Sequence, residues 1–245
     1  MKVAVFGATR GMGRAVARVL AERKESLFLL GRDSDANTRS ARDLEIRGGI
    51  ARVGTAVCDL LDPHGFDNAI GAAANDLGGL DCVVVTAGLF ASQADLEADP
   101  ALSSRLLTAN FTNTVLFCEA ARKRLLASGG GTLCVLSSVA GERGRKPVGI
   151  YGAAKAGLSR YLEALDHKFR DQGLRTITVK PGFVKTDMTT GLKPPPFAGE
   201  PDAVAQAIVR AIDRGTPVAY VPRMWALVMF VIRLLPRFVM RRIGF

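Results

Sequence analysis

Thr132–Gly157 reads TLCVLSSVAGERGRKPVGIYGAAKAG, and its interpretation decides how the whole chain folds. The opening TLCVLSS is apolar, too short for a helix and suited to a buried parallel strand. A loop carrying Arg143, Arg145 and Lys146 follows, and then Tyr151 and Lys155 stand at i and i+4. With Tyr151 opening a helix, that spacing puts its phenol and the Lys155 ammonium on one face. Ser138, thirteen residues before the tyrosine at the strand end, brings a hydroxyl to the same point. Such a trio suits moving a proton on or off an oxygen while another group moves a hydride. A free phenol titrates near pH ~10, and a neighbouring ammonium favours the phenolate and draws that value toward neutrality. The alternative for this stretch alone is a core strand followed by a solvated helix.

Outward from there, Lys2–Phe6 reads as a buried strand running into Gly7-Ala8-Thr9-Arg10-Gly11-Met12-Gly13 and an alanine-rich helix to about Lys24. In a strand, glycine turn and helix, a pyrophosphate can rest on backbone N–H groups at the helix start, because glycines allow close approach. Ser26–Leu30 is a second strand, ending Gly31-Arg32-Asp33. An acid at such a strand end bonds the ribose 2′-hydroxyl of NAD, whereas an arginine accommodates the 2′-phosphate of NADP. Arg32 with Arg10 favours NADP(H); Asp33, one residue on, leaves NAD(H) open. Strands over Ala51–Cys58, Asp81–Thr86 and Arg175–Lys180 alternate with helices over Ala36–Gly48 and Pro63–Leu77, and a long helix over about Pro100–Ala127. This alternation, with no long linker or repeat, predicts the α/β class: a single doubly wound Rossmann domain of about seven parallel strands flanked by helices. The catalytic domain is expected over residues 1–221, with 222–245 an apolar, basic helical tail, part of the same domain or membrane-associating.

Composition narrows the function classes. The chain has 245 residues, 48% of them hydrophobic, enough for one large core. MKVAVFGATRG begins a strand and not a signal peptide, since glycine and arginine interrupt the apolar run. Cys58, Cys82, Cys118 and Cys134 lie far apart on apolar segments, which suggests buried reduced thiols and a cytoplasmic setting. Two histidines and no clustered carboxylates give no support to a metal site. The net charge of +10 is concentrated at the end: Arg223–Phe245 holds five arginines and no acid. No nucleic-acid reader motif accompanies that charge. Arg233, Arg237 and Arg241 repeat every four residues in MWALVMFVIRLLPRFVMRRIGF, too short and charged to span a bilayer but patterned to lie in an anionic membrane surface. The alternative is a C-terminal helix packed over the substrate pocket or against a second subunit, and both can hold.

Ser138, Tyr151 and Lys155 at Ser-x12-Tyr-x3-Lys, with the GxxxGxG turn, resemble the short-chain dehydrogenase/reductase family over about Met1–Tyr220. The resemblance implies that Asn110 holds Lys155 through a water, and that Asp59, with Leu60, lies near the adenine. It implies that Thr86-Ala87-Gly88 replaces the usual Asn-Asn-Ala-Gly turn, with Ala87 and Gly88 beside the cofactor. Pro181, Gly182, Val184 and Thr186 match the PGxVxT segment that meets the nicotinamide half, and about 187–200 is the substrate loop. Gly7, Thr9, Arg10, Gly11, Met12 and Gly13 would hold the pyrophosphate end, and Lys155, beside Tyr151, the nicotinamide ribose. Family members pair the Asn110 and Tyr151 helices of two subunits, so a homodimer or homotetramer is implied. SSVAGERGRK, YGAAKAGL and PGFVKTDMTTGLKPPP look most like the branch that reduces the keto-sugar of decaprenylphosphoryl pentose, although Arg32 and the Thr86 turn depart from it. Arg143, Arg145 and Lys146 would then face an anionic, lipid-linked substrate at the inner face of the membrane. The alternatives are a ketoreductase for a soluble acyl thioester, steroid or small ketone, and a non-catalytic NADP(H)-binding sensor or scaffold.

Overall fold

β1 (Lys2–Phe6) divides its side chains between two cores. Val3 and Val5 enter one apolar cluster and Ala4 and Phe6 another, and all four are buried. A strand enclosed on both faces calls for helices on both sides of a parallel sheet. That is the arrangement in the computed structural model, which describes residues 1–186, 189, 191, 194–195 and 197–243. In chain order the elements are β1, α1 (Gly11–Glu22), β2 (Ser26–Gly31), α2 (Ser34–Gly48), β3 (Gly54–Val57), α3 (Phe66–Leu77) and β4 (Cys82–Val85). They continue with α4 (Gln93–Ala98), α5 (Pro100–Leu107), α6 (Thr114–Ala127), β5 (Gly131–Leu136), α7 (Gly149–Phe169) and β6 (Leu174–Pro181). The chain closes with α8 (Pro201–Arg214), β7 (Val218–Val221), α9 (Met224–Leu234) and α10 (Arg237–Arg242).

The seven strands lie in the order β3-β2-β1-β4-β5-β6-β7, every neighbouring pair parallel. One face is covered by α1, α2 and α8 through residues such as Val16, Leu20, Leu44 and Ile208. The other is covered by α3, α6 and α7 through Ile70, Phe117, Leu125, Leu158 and Leu162. Strand order reverses between β1 and β4, so their carboxyl ends open a crevice there. The expected single Rossmann domain is therefore the one observed.

Three sequence expectations need correction. The helix expected over Pro100–Ala127 is not continuous α-helix: Thr108–Asn113 is π-helical between α5 and α6. The Thr114 hydroxyl bonds the Ala109 carbonyl within that wider turn (2.7 Å), and Asn110 points at the neighbouring loop. β3 starts later than Ala51, because the Val53 amide is bonded to Glu45 on α2 (2.8 Å) and only from Gly54 does the chain pair with β2. The tail is two helices. Leu235 is extended before Pro236, as a residue preceding proline prefers, and the four-residue arginine repeat is cut between Arg233 and Arg237.

Phe117 is fully buried against Phe6 (ring centroids 4.7 Å apart) and Phe66 (5.4 Å). Phe117→Ala should lower unfolding free energy by about 3–5 kcal/mol, read as a lower urea midpoint at unchanged slope.

Candidate active site

The strand end and the helix carrying the trio meet backbone to backbone. Ser138 begins the turn Val139–Gly141 and its hydroxyl accepts from the Ala140 amide (3.1 Å). A Cβ on Gly141 would lie 2.6 Å from the Ala156 amide nitrogen, and one on Gly152 would lie 2.7 Å from the Ala140 oxygen. Neighbouring Ser137 bonds the Lys155 carbonyl (3.0 Å) and Ser159 (2.7 Å). So fixed, Ser138 lies near enough to the Tyr151 phenol to favour its ionised form. Lys155 is buried, donates to the Leu136 carbonyl (2.9 Å) and sits 5.9 Å from the Tyr151 ring centre.

Burial favours the neutral form of both groups. It pushes Tyr151 up to about 12, opposed by Ser138, and pushes Lys155 down to about 8. The expected lowering of Tyr151 by Lys155 is therefore not observed: desolvation raises the phenol, and only Ser138 opposes it. The phenol is protonated at neutral pH, as a proton donor must be.

Asn110 is fully buried, and its amide clasps residue 89: Oδ1 accepts from the Leu89 amide and Nδ2 donates to the Leu89 carbonyl, both at 2.7 Å. A Cβ on Gly88 would meet Asn110 Oδ1 at 3.0 Å and Lys155 Nζ at 3.8 Å, so the three residues share one corner. Thr86 takes over the bracing of its turn, its hydroxyl donating to the carbonyls of Phe6 (2.8 Å) and Gly7 (3.2 Å). The Ala87 amide also bonds Phe6 (3.1 Å). Phe90, which carried no signal in the sequence, meets the Tyr151 ring edge-on at 5.2 Å.

At the other end of the crevice, Gly7 holds φ +95°, and a Cβ on Gly13 would overlap the Gly7 carbonyl. The first turn of α1 has no side-chain cap and no acid, and Arg10 precedes it. Its orphan amides with this close approach fit a pyrophosphate. Thr186 lies over Gly11, with its Cβ 3.8 Å from where a Gly11 Cβ would be, which brings the PGxVxT segment to the glycine turn. Thr9 and Met12 are half-buried in the turn, and Pro181 and Val184 are buried at the end of β6 and beyond it. Asp59 stands after β3 and accepts from the Leu61 amide (2.9 Å), while the Leu60 carbonyl accepts from Asn113 (2.9 Å).

Gly31 ends β2 over Asn37, whose Nδ2 bonds the carbonyls of Gly31 (2.8 Å) and Ala56 (3.2 Å); a Cβ on Gly31 would lie 2.5 Å from Asn37 Oδ1. Arg32 is exposed beyond it. Asp33 is committed elsewhere: its carboxylate caps α2 through the Ala36 amide (2.9 Å), the main reason its pKa is lowered.

The three loop cations do not act alike. Arg143 donates to the Leu235 carbonyl (2.7 Å), Arg145 is half-buried, with its pKa lowered by desolvation, and Lys146 is exposed. Among 187–200, residues 187, 188, 190, 192, 193 and 196 lie outside the described residues. The tail covers this side of the site. Met229 and Ile232 pack on Val139, next to Ser138, and the indole of Trp225 occupies the place where a Gly182 side chain would be. A groove of about 710 Å³ lies elsewhere, along the α7 residues Ser159 to His167 and the strands β6 and β7. It touches none of the trio, though Gly141 and Glu142 of the turn after Ser138 line one end of it. The four thiols are buried, and desolvation raises all of them, Cys58 and Cys82 to about 12, which leaves no nucleophilic cysteine.

Gly13→Ala should abolish saturable quenching of protein fluorescence by NADPH while the far-UV circular dichroism stays that of the parent. An alanine protein with parental affinity would remove the glycine turn from dinucleotide binding.

Residues 1–196 match the family described as short chain dehydrogenase. An uncharacterised oxidoreductase of Streptomyces coelicolor is 37% identical over 245 residues, covering 98% of this chain and 94% of the relative. A carbonyl reductase family member 4 of Xenopus tropicalis is 28% identical over 218 residues, 86% of this chain and 90% of that one. A solved short-chain type dehydrogenase/reductase from Mycobacterium ulcerans superposes with TM-score 0.80 at 21% identity, covering 89% of this chain and 86% of its own, a likeness of fold. The chain is an oxidoreductase, and it belongs to the short-chain dehydrogenase/reductase family, whose members bind NAD(P)(H).

Proposed function

We propose that the chain is an NADP(H)-dependent carbonyl reductase in which Tyr151 is the general acid, and the convergence of Ser138, Tyr151 and Lys155 at the crevice supports this most directly. NADP(H), when bound, supplies the hydride at the carbonyl carbon. Gly7, Thr9, Gly11, Met12 and Gly13 would hold the pyrophosphate. Arg10 and Arg32 would take the 2′-phosphate, a reading supported by Asp33 being occupied as a helix cap. The preference for NADP(H) over NAD(H) rests on that pair of cations. Asp59 and Leu60 would border the adenine, and Ala87, Gly88, Pro181, Gly182, Val184 and Thr186 the nicotinamide half. Tyr151 gives its proton to the carbonyl oxygen, Ser138 donates to the developing alkoxide, and Lys155 orients the ribose and restores charge balance as the phenol ionises. Asn110 holds the Leu89 corner against which Lys155 rests, with the water relay implied by the family an additional role.

Turnover tests this reading. Tyr151→Phe should bind NADPH with parental affinity and lose about 10²–10⁴-fold in kcat. Because burial keeps Tyr151 as the phenol, carbonyl reduction should hold as pH rises through neutrality, and alcohol oxidation, which needs the phenolate, should climb with pH. Retained turnover in Tyr151→Phe would take that residue out of the acid role. A parent protein that binds NADPH yet reduces no ketone, acyl thioester or keto-sugar would favour the sensor or scaffold.

A second reading concerns where the substrate is met. Leu227, Phe230, Val231 and Leu234 on α9 and Phe238 on α10 are each more than half exposed, while Arg223, Arg237, Arg241 and Arg242 are exposed beside them. This supports docking on an anionic membrane surface, where each arginine contributes about 1 kcal/mol, with a lipid-linked carbonyl such as a keto-sugar on a polyprenyl phosphate as the substrate class. No helix among the described residues is long and apolar enough to cross a membrane. The protein should co-sediment with phosphatidylglycerol vesicles and not with phosphatidylcholine vesicles. The double substitution Leu227→Ser and Phe230→Ser should release it, since neither side chain is in the inward packing. Binding unchanged by that substitution would return the preference to a soluble ketone or acyl thioester. Pairing of the Asn110 and Tyr151 helices into a dimer or tetramer is the assembly proposed by family analogy.

A further inference from the structure

Glu142 joins three parts of the molecule through one carboxylate. Its side chain is 6% exposed; one oxygen accepts from Lys180, and the other accepts from the Tyr220 hydroxyl (3.0 Å) and pairs with Arg233 (3.2 Å). These partners belong to β6, β7 and α9, so two strand ends and the tail converge on one side chain. Burial alone would raise this carboxyl, but the Lys180 bond and charge, then Tyr220 and Arg233, carry it below the usual range, and it is ionised at neutral pH. Adjacent Arg143 repeats the join by donating to the Leu235 carbonyl (2.7 Å), and Met229 and Ile232 pack on Val139. Glu142 directly follows the turn that Ser138 opens, and Gly141 of that turn rests on the backbone of Lys155 and Ala156.

We infer that Glu142 is a positioning residue for Ser138: by holding the turn to α9 through Arg233, it makes the C-terminal helix pair part of what sets the serine hydroxyl against Tyr151. The inference rests on the reading of Ser138 given above. A carboxylate suits the place, because donors from three elements converge on its two oxygens, and its charge offsets that of Lys180, itself only 12% exposed. A neutral or shorter side chain would leave a buried ammonium without its counter-ion and the tail without its ionic attachment. The turn would then be held to the tail only by the Arg143 bond and its apolar contacts. Displacement of a reacting group by about 1 Å is enough to slow catalysis up to 10²-fold.

The test uses the full chain, with NADPH and a carbonyl compound that the parent protein reduces. Arg233→Met removes the charge and keeps an apolar stem at a half-exposed site, so folding is not in question; Glu142→Gln removes the hub charge. Each should lower kcat about tenfold while the KM for NADPH stays within about twofold of the parent. Arg233→Lys should restore kcat. Combined with Ser138→Ala, Arg233→Met should cost nothing further, because the group it positions is gone. Trp225, the one tryptophan and a residue of α9, supplies a readout independent of turnover: its emission should shift to the red in Arg233→Met and return in Arg233→Lys. Parental kcat in Arg233→Met, or a loss that persists undiminished in the Ser138→Ala background, overturns the inference. Full turnover in Ser138→Ala overturns the serine reading and the inference with it, and is told apart by which variant is silent.

Discussion

The contact on which the site depends is one without side chains. The turn after β5 lies against the first turns of α7 at Gly141 and Gly152, with backbone atoms closer than any Cβ allows. A strand end and a helix start are thereby held at a separation fixed by main-chain packing, the stiffest reference a fold offers. Ser137 bonds the Lys155 carbonyl and Lys155 bonds the Leu136 carbonyl, so the same two segments are also laced in both directions. The trio inherits its geometry from this seam. The rest of the sheet supplies the crevice into which the seam opens.

Much of this was legible in the sequence because the signals were local and periodic. Strands buried on both faces read as apolar runs, the glycine turn marked the first strand–helix junction, and Tyr151 and Lys155 needed only helical spacing to share a face. What was not legible depended on contacts between distant segments. The π turn at Asn110 cannot be read from composition, since its residues suit an α-helix and the deviation is made by Thr114 and by the Leu89 corner. Phe90 follows an irregular turn, where no periodicity exists to assign its direction. Arg233 looked like one member of a stripe, and Pro236 was visible as an interruption. Its consequence, that Arg233 turns inward to Glu142, required a partner 91 positions earlier in the chain.

The electrostatics follow the same division. Spacing alone suggested that an ammonium would ease ionisation of the phenol. Enclosure by Phe90 and the neighbouring helices adds a desolvation cost that spacing cannot reveal, and it is the larger effect on both groups. Both groups are thus held toward their neutral forms by the same enclosure, Tyr151 upward and Lys155 downward.

Asn37 beneath Gly31 has a consequence for redesign of coenzyme use. An acidic side chain at the end of β2 is the ordinary way to select an unphosphorylated ribose, yet here the first carbon of that side chain would collide with a buried amide that also ties β2 to β3. Exchange of nucleotide preference is thus epistatic in this chain. The position under the strand end must be made small before the position at the strand end can be made acidic, and the intermediate must survive the loss of the tie. A lineage or a laboratory library changing one residue at a time meets a fitness valley there, which the neighbouring surface position, Arg32, does not impose.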